Sequence, residues 1–271
     1  MNKNIGIYIV YHKEDVLFSN QVFKPISVGK FSNISSDKFL KDNTGDNISF
    51  KNDLYNELTA LYWMWKNTKD EYVGLNHYRR FFYTGFDLSF NFKLLQKSIS
   101  SIYKKYVRFE PYIKTNSIKN VQKELQRQQK TLLSLLDKNT IIVPNYQYLK
   151  EPVIVNYEKY HRLEDFLITD QVLRKLSNGF YLSWNKIKND NALIAYNMFI
   201  MHRENFNDYL SFLFEVLFEV EKQIKIPTDP YQKRVMGFLS ERIFTAYIHY
   251  LKEIKMKKII HFPILLFQNN E

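Results

Sequence analysis

The chain has 271 residues, a formal charge of +11 and no cysteine. The length suits one large domain, and the missing cysteines exclude disulfides and thiolate metal sites. With 7 glycines and no Walker A or G-x-G-x-x-G pattern, a glycine-cradled nucleotide loop is excluded as well.

Met1-Asn2-Lys3-Asn4 leads directly into Ile5 to Tyr11, a β-branched and aromatic run that predicts a central strand ending at His12-Lys13. No signal peptide is expected, and no apolar stretch is long enough to span a bilayer. Phe23 to Val28 predicts a second strand. Residues 32–52 are polar and loop-like, with Asp46 and Asn47 near the approach to the next helix. Such small polar groups can bind a base or ribose, and they also form ordinary turns.

Asn52 is placed to cap a helix whose stripe is Leu54, Leu58, Leu61, Tyr62 and Trp65. Tyr72 to Leu75 predicts a buried strand, followed at once by His77, Arg79 and Arg80. In open α/β sheets ligands bind at the carboxyl ends of strands, and paired guanidiniums suit a phosphate or diphosphate. Ordinary surface ion pairs are the competing explanation for the two arginines.

Residues 87–139 are expected to be helical and charged, and Thr140 to Val143 a short strand. Tyr157 to Lys175 predicts one helix, so Tyr157, His161 and Asp165 would share a face. An Asp one turn from a His would hold it as a general base. Ala195 to Met201 predicts a strand with Asn197 in its interior, a buried amide that must find partners. Two amphipathic helices, 207–224 and 235–250, follow, the second carrying Glu241 and Arg242 after Arg234. Ile259 to Phe267 is a last strand-like run broken by Pro263. Lys252, Lys255, Lys257 and Lys258 among Ile254 and Met256 would suit an anionic membrane surface or a solvated helix face.

No convincing Asp-x-Asp follows a strand, where two carboxylates would hold Mn²⁺ or Mg²⁺ against a diphosphate. His77 and the arginines stand there instead, so positive side chains would neutralise the leaving group, with metal binding through His77 left open.

These residues match a known pattern. Asp46-Asn47-Ile48-Ser49, Asn52, Tyr55, Glu57 to Trp63, Trp65-Lys66-Asn67, Gly74-Leu75 and His77 to Phe81 resemble a bacterial family filed as a domain of unknown function, number 4422. Tyr157, His161, Asp165, Tyr196 to Ile200, Arg234 and Gly237 to Arg242 extend the resemblance to about residue 250. The family occurs in capsule and O-antigen gene clusters. The resemblance implies an α/β fold with a GT-A-like, Rossmann-type mixed sheet flanked by helices, and added helical segments. It also implies a single glycosyltransferase domain: 5–85 binds nucleotide, 87–139 is a helical insertion, 140–250 serves acceptor and catalysis, and 251–271 is basic. The expected reaction moves a sugar, galactose or galactofuranose, from a UDP-sugar to a lipid-linked or polysaccharide acceptor at the inner face of the cytoplasmic membrane.

Within that expectation His12, Asp46, Asn47, His77, Arg79 and Arg80 hold the donor. Asn197 and Arg234 meet the acceptor, and His161, Asp165 and Glu241 are candidate bases. The alternatives are an inert scaffold of polysaccharide assembly and a basic nucleic-acid-binding protein. The second is disfavoured because basic and aromatic residues interleave only diffusely, so no nucleic-acid partner is expected.

Overall fold

The computed structural model describes residues 3–85, 110, 112–176 and 178–268. The expected nucleotide half is built from β1 (Ile5–Tyr11), β2 (Phe23–Ser27), β3 (Leu40–Lys41) and β4 (Tyr72–His77), all parallel. Every residue of β1 is buried, because both faces of the sheet are covered. Tyr8 and Val10 pack into one core, and Ile5, Ile7, Ile9 and Tyr11 into the other.

From β4 the sheet continues through β10 (Phe199–His202), β7 (Thr140–Pro144) and β11 (Lys258–Phe262). β10 runs antiparallel to both of its neighbours, which makes the sheet mixed. A side ribbon of β5 (Arg80–Phe82), β12 (Ile264–Phe267) and β6 (Tyr112–Thr115) grows from the end of β4. The short strands β8 (Gln147–Tyr148) and β9 (Ala192–Leu193) pair apart from it.

One face of the sheet carries α1 (Asn52–Tyr55), α2 (Leu58–Asn67), α7 (Arg203–Glu221) and α8 (Val235–Glu253). There the α2 stripe meets α7 through rings: Trp65 stacks on Phe214 at 6.0 Å, and Tyr62 meets the same ring edge-on at 5.1 Å. Outside them lie α4 (Val153–Tyr160), α5 (Leu163–Leu176) and α6 (Asn178–Lys188). The opposite face is covered by α3 (Ile118–Leu135), capped by the Ser117 side chain.

Four expectations are corrected. The helix expected from Asn52 to Trp65 is broken at Asn56, where φ is +50°. Asn52 is its first residue, not its cap, and donates to the Asn56 carbonyl and Thr59 Oγ1. The single helix expected over Tyr157 to Lys175 is two, because His161 is extended at φ −141°. Tyr157 and His161 still touch, with ring centroids 4.9 Å apart, but Asp165 belongs to the next helix and does not share their face. Asn197 is not inside a strand: Tyr196 and Asn197 take φ of +74° and +50° in a turn ahead of β10. Of the expected helical stretch 87–139, residues 87–109 and 111 lie outside the described residues, and the remainder holds β6 as well as α3. The last strand is interrupted at Pro263 as expected.

Candidate active site

The carboxyl ends of β1 and β4 lie side by side, with Val10 opposite His77 in register. His12 therefore follows on the same sheet face as His77. The antiparallel pairing of β10 with β4 brings the Tyr196–Asn197 turn alongside, and His77 Nε2 lies 2.7 Å from the Tyr196 carbonyl. Burial first, then Arg80, pushes the His77 pKa down to about 4. At neutral pH it is an uncharged imidazole whose Nε2–H donates to Tyr196.

The two helical elements above add carboxylates. The break at Asn56 ends α1, and α2 restarts just after Glu57. Asn197 Nδ2 donates to Glu57 Oε1 at 2.8 Å and to Ser240 Oγ at 2.9 Å. Glu241, on the second turn of α8, accepts from the Tyr196 amide at 2.7 Å and from Arg242 Nη1 at 3.1 Å. Burial raises the pKa of both carboxyls, and the Glu57 charge raises that of Glu241 further. Arg80 and Arg234 oppose the rise at Glu57.

Three of the expected cations play different parts. Arg79 donates to Asp15 from Nε and Nη2, so its charge is locally matched. Arg80 lies 4.3 Å over the Tyr196 ring, and its Nε has no hydrogen-bond partner among the described residues. Arg234 is exposed and makes no ion pair among the described residues; its Nε donates to Asn56 Oδ1 at 3.1 Å. Asn56 also reaches the Arg234 carbonyl. This approach requires Gly237, since a Cβ there would lie 2.6 Å from Asn56 Nδ2. Arg234 also acts electrostatically on His12 and His77. The His12 ring sits edge-on to Tyr78 at 5.1 Å, and burial and then Lys13 and His77 lower its pKa.

His161 is joined to this cluster from behind. Its ring stacks on Phe238 at 4.0 Å, its Nδ1 lies 3.3 Å from Gln232 Oε1, and burial and Arg242 push its pKa down to about 4. Asp165 is buried at the start of α5, 3.9 Å from Arg162, and forms no hydrogen bond or ion pair with His161. Asp46 and Asn47 are not brought to the cluster. Tyr62 and Asn67 hold Asp46 beside the last turns of α2, and Asn47 bonds Gly45 and Ser49. The ten residues of α2 put that loop about 15 Å from Glu57.

Among the described residues, no three His, Asp or Glu side chains are grouped to hold a metal ion. At His77 the Nε2–H bond to the Tyr196 carbonyl leaves Nδ1 as the one nitrogen able to ligate, and no set of three ligands that includes it is present among the described residues. Glu57, Tyr196 and Asn56 are the residues that sequence reasoning did not assign to the site. Glu57 left a signal: a charged residue four before Leu61 and three after Leu54, in the middle of an apolar stripe.

The family model described as a domain of unknown function, DUF4422, matches residues 6–253. The chain belongs to the DUF4422 family. A solved chain, described as the apo structure of the bifunctional glycosyltransferase WbbM, superposes on this DUF4422 member with a TM-score of 0.82 at 26% identity. The match covers 99% of this chain and 46% of that one, so the DUF4422 member spans about half the length of that relative. No match was found among curated proteins. The expected GT-A-like mixed sheet of the family is therefore the architecture present.

Proposed function

We propose that the chain is a glycosyltransferase that moves a sugar from a UDP-sugar to a glycan acceptor. The observation that carries this reading is the likeness over nearly the whole chain to a bifunctional glycosyltransferase. A cluster of guanidiniums and carboxylates at the ends of β1 and β4 agrees with it. In this reading His12, His77, Arg80 and Arg234 surround the diphosphate. Arg234 thus moves from the acceptor to the donor side, since its charge reaches His12 and His77. Arg79 acts through its pairing with Asp15. Guanidiniums fixed before reaction stabilise charge as it builds on the departing diphosphate. Segment 5–85 supplies donor contacts, and segment 140–250 supplies Asn197, Arg234 and Glu241.

We carry over galactose or galactofuranose as the sugar, and a capsular or O-antigen chain as acceptor, from the family resemblance alone. Among the described residues no helix is long and apolar enough to cross a membrane. The turn after α8 exposes Ile254 and Met256 beside Lys252, Lys255 and Lys258, which supports peripheral contact with an anionic cytoplasmic leaflet.

The test is a panel of UDP-, GDP- and CMP-sugars, read by melting temperature and by release of the nucleotide, with and without Mn²⁺. Stabilisation and turnover with a UDP-sugar are expected. Stabilisation without turnover would mean an inert scaffold, and no response to any donor would overturn the reading.

A further inference from the structure

Four non-glycine residues with positive φ occur among the described residues: Asn56, Tyr196, Asn197 and Met256. Asn56 directly precedes Glu57, and Asn197, which follows Tyr196 in the same turn, bonds the Glu57 side chain. Such backbone conformations cost about 1–3 kcal/mol each and persist only where their surroundings hold them. Here the surroundings do hold them. The Asn56 amide and carbonyl are tied to Asn52, and its side-chain oxygen accepts from Arg234. The Tyr196 amide is tied to Glu241, and its carbonyl to His77. The Asn197 amide is divided between Glu57 and Ser240, which in turn donates to the Gly237 carbonyl.

The construction fixes Glu57 by one oxygen only. Oε1 accepts from Asn197, while Oε2 receives no hydrogen bond from a described residue and is not sealed within the core. The other candidates are less available. Glu241 uses both oxygens, on Tyr196 and Arg242. Asp165 is 1% exposed, out of reach of a substrate. His161 is stacked on Phe238 and held by Gln232.

We infer that Glu57 is the general base of the transfer, positioned by Asn197. This assignment rests on the glycosyltransferase reading above. Oε2 takes the proton of the acceptor hydroxyl as that oxygen bonds to the anomeric carbon. The bond from the anomeric carbon to the diphosphate oxygen breaks, and its electron pair leaves with the diphosphate, beside Arg80 and Arg234. The proton remains on Glu57 until released to solvent. One displacement inverts the anomeric configuration.

The experiment compares the parent chain with E57Q, E57A and E57D, using the donor that the panel identifies and a glycan acceptor. Binding of UDP is read separately by melting temperature. E57Q is expected to keep UDP stabilisation and lose about 10²–10⁴-fold in transfer. E57A is expected to lose as much and to recover in part with added formate, which a purely structural carboxylate would not allow. E57D keeps the charge on a shorter arm, serves if E57Q does not fold, and should fall between parent and E57A. An active parent whose folded E57Q or E57A variant transfers within about threefold of it overturns the base assignment alone. So does a product with retained anomeric configuration. A parent that turns over no donor overturns the glycosyltransferase reading itself.

Discussion

Arg79 donates to Asp15 twice, from Nε at 3.1 Å and Nη2 at 2.8 Å, onto a carboxylate whose side chain is 3% exposed. A bidentate pair onto a buried acid is a structural commitment. The sequence alone suggests that Arg79→Ala should remove a phosphate contact. The geometry predicts a different outcome. Truncation takes two charge-assisted hydrogen bonds from a buried carboxylate, which should lower stability by about 2–3 kcal/mol. The turnover of the folded fraction should fall by less than about tenfold, below the loss expected for a charge stabiliser. Urea denaturation and initial rates on the same preparation check both parts.

Arg234 should behave in the opposite way. It is exposed, has no ion-pair partner among the described residues, and is held by one neutral amide. Arg234→Ala should leave the melting temperature within a few degrees of the parent. It should reduce transfer by about 10²-fold or more if its charge opposes that of the leaving diphosphate. A variant as active as the parent would remove Arg234 from the donor site.

Gly237→Ala tests the same device from the helix side. Alanine favours a helix interior over glycine by about 1 kcal/mol, so the fold itself should not weaken. Its Cβ would instead meet the Asn56 amide at 2.6 Å, and that side chain must turn away from Arg234. A raised KM for the donor with an unchanged melting temperature is expected. Unaltered kinetics would mean that Asn56 does not aim the guanidinium.

The alternation and burial of strands come from local composition, which is why β1, β2, β4 and β7 are legible in the chain itself. So was the position of the basic cluster in the fold, since His77 and Arg80 directly follow a strand. The breaks were not legible. Asn56 and His161 lie in stretches whose apolar spacing continues on both sides, and periodicity cannot report a kink made by distant partners. Asn56 is held by Arg234, 178 positions later, and His161 by Gln232, 71 positions later. Glu57 went unassigned for the same reason: its partner Asn197 is 140 residues away. Asp46 and Asn47 are held in turn contacts beside α2, and composition does not separate turn formers from ligand contacts, which use the same residue types.

Asp42 should be among the most damaging positions outside the candidate site. Its carboxylate is wholly buried and accepts from Ser32 Oγ at 2.7 Å, Ser49 Oγ at 2.6 Å, Thr59 Oγ1 at 2.6 Å and the Gly29 amide. It thus ties two 3₁₀ turns, Gly29–Asn33 and Ser49–Lys51, to α2. Asp42→Ala removes the acceptor shared by four donors, two of which, Ser32 and Thr59, can turn to the Ser27 and Asn56 carbonyls, and the loss should be about 3 kcal/mol. Ser32→Ala, which removes one donor and leaves three, should cost only about 1 kcal/mol. Denaturant midpoints that ranked the two variants equally would refute the hub.

Acid should weaken the fold through His77. Its pKa is near 4 in the folded chain against 6.5 when free, so the unfolded chain binds the proton first. The neutral buried form therefore contributes fully above about pH 6.5, and that contribution is lost as pH falls toward 4. Between pH 7 and pH 5 the loss from this one ring should be about 2 kcal/mol. His77→Gln keeps a donor for the Tyr196 carbonyl without a titrating ring, so its stability should fall less over the same interval. The Glu57 carboxyl responds in the other sense. Its pKa is raised by burial, so the folded chain protonates it before the unfolded chain does, and that protonation stabilises. As a base it must be ionised, so transfer should fall on acidification at a higher pH than an ordinary carboxylate would dictate. The two effects separate experimentally, because E57Q abolishes the acidic limb of the rate while leaving the His77 slope in the melting curve.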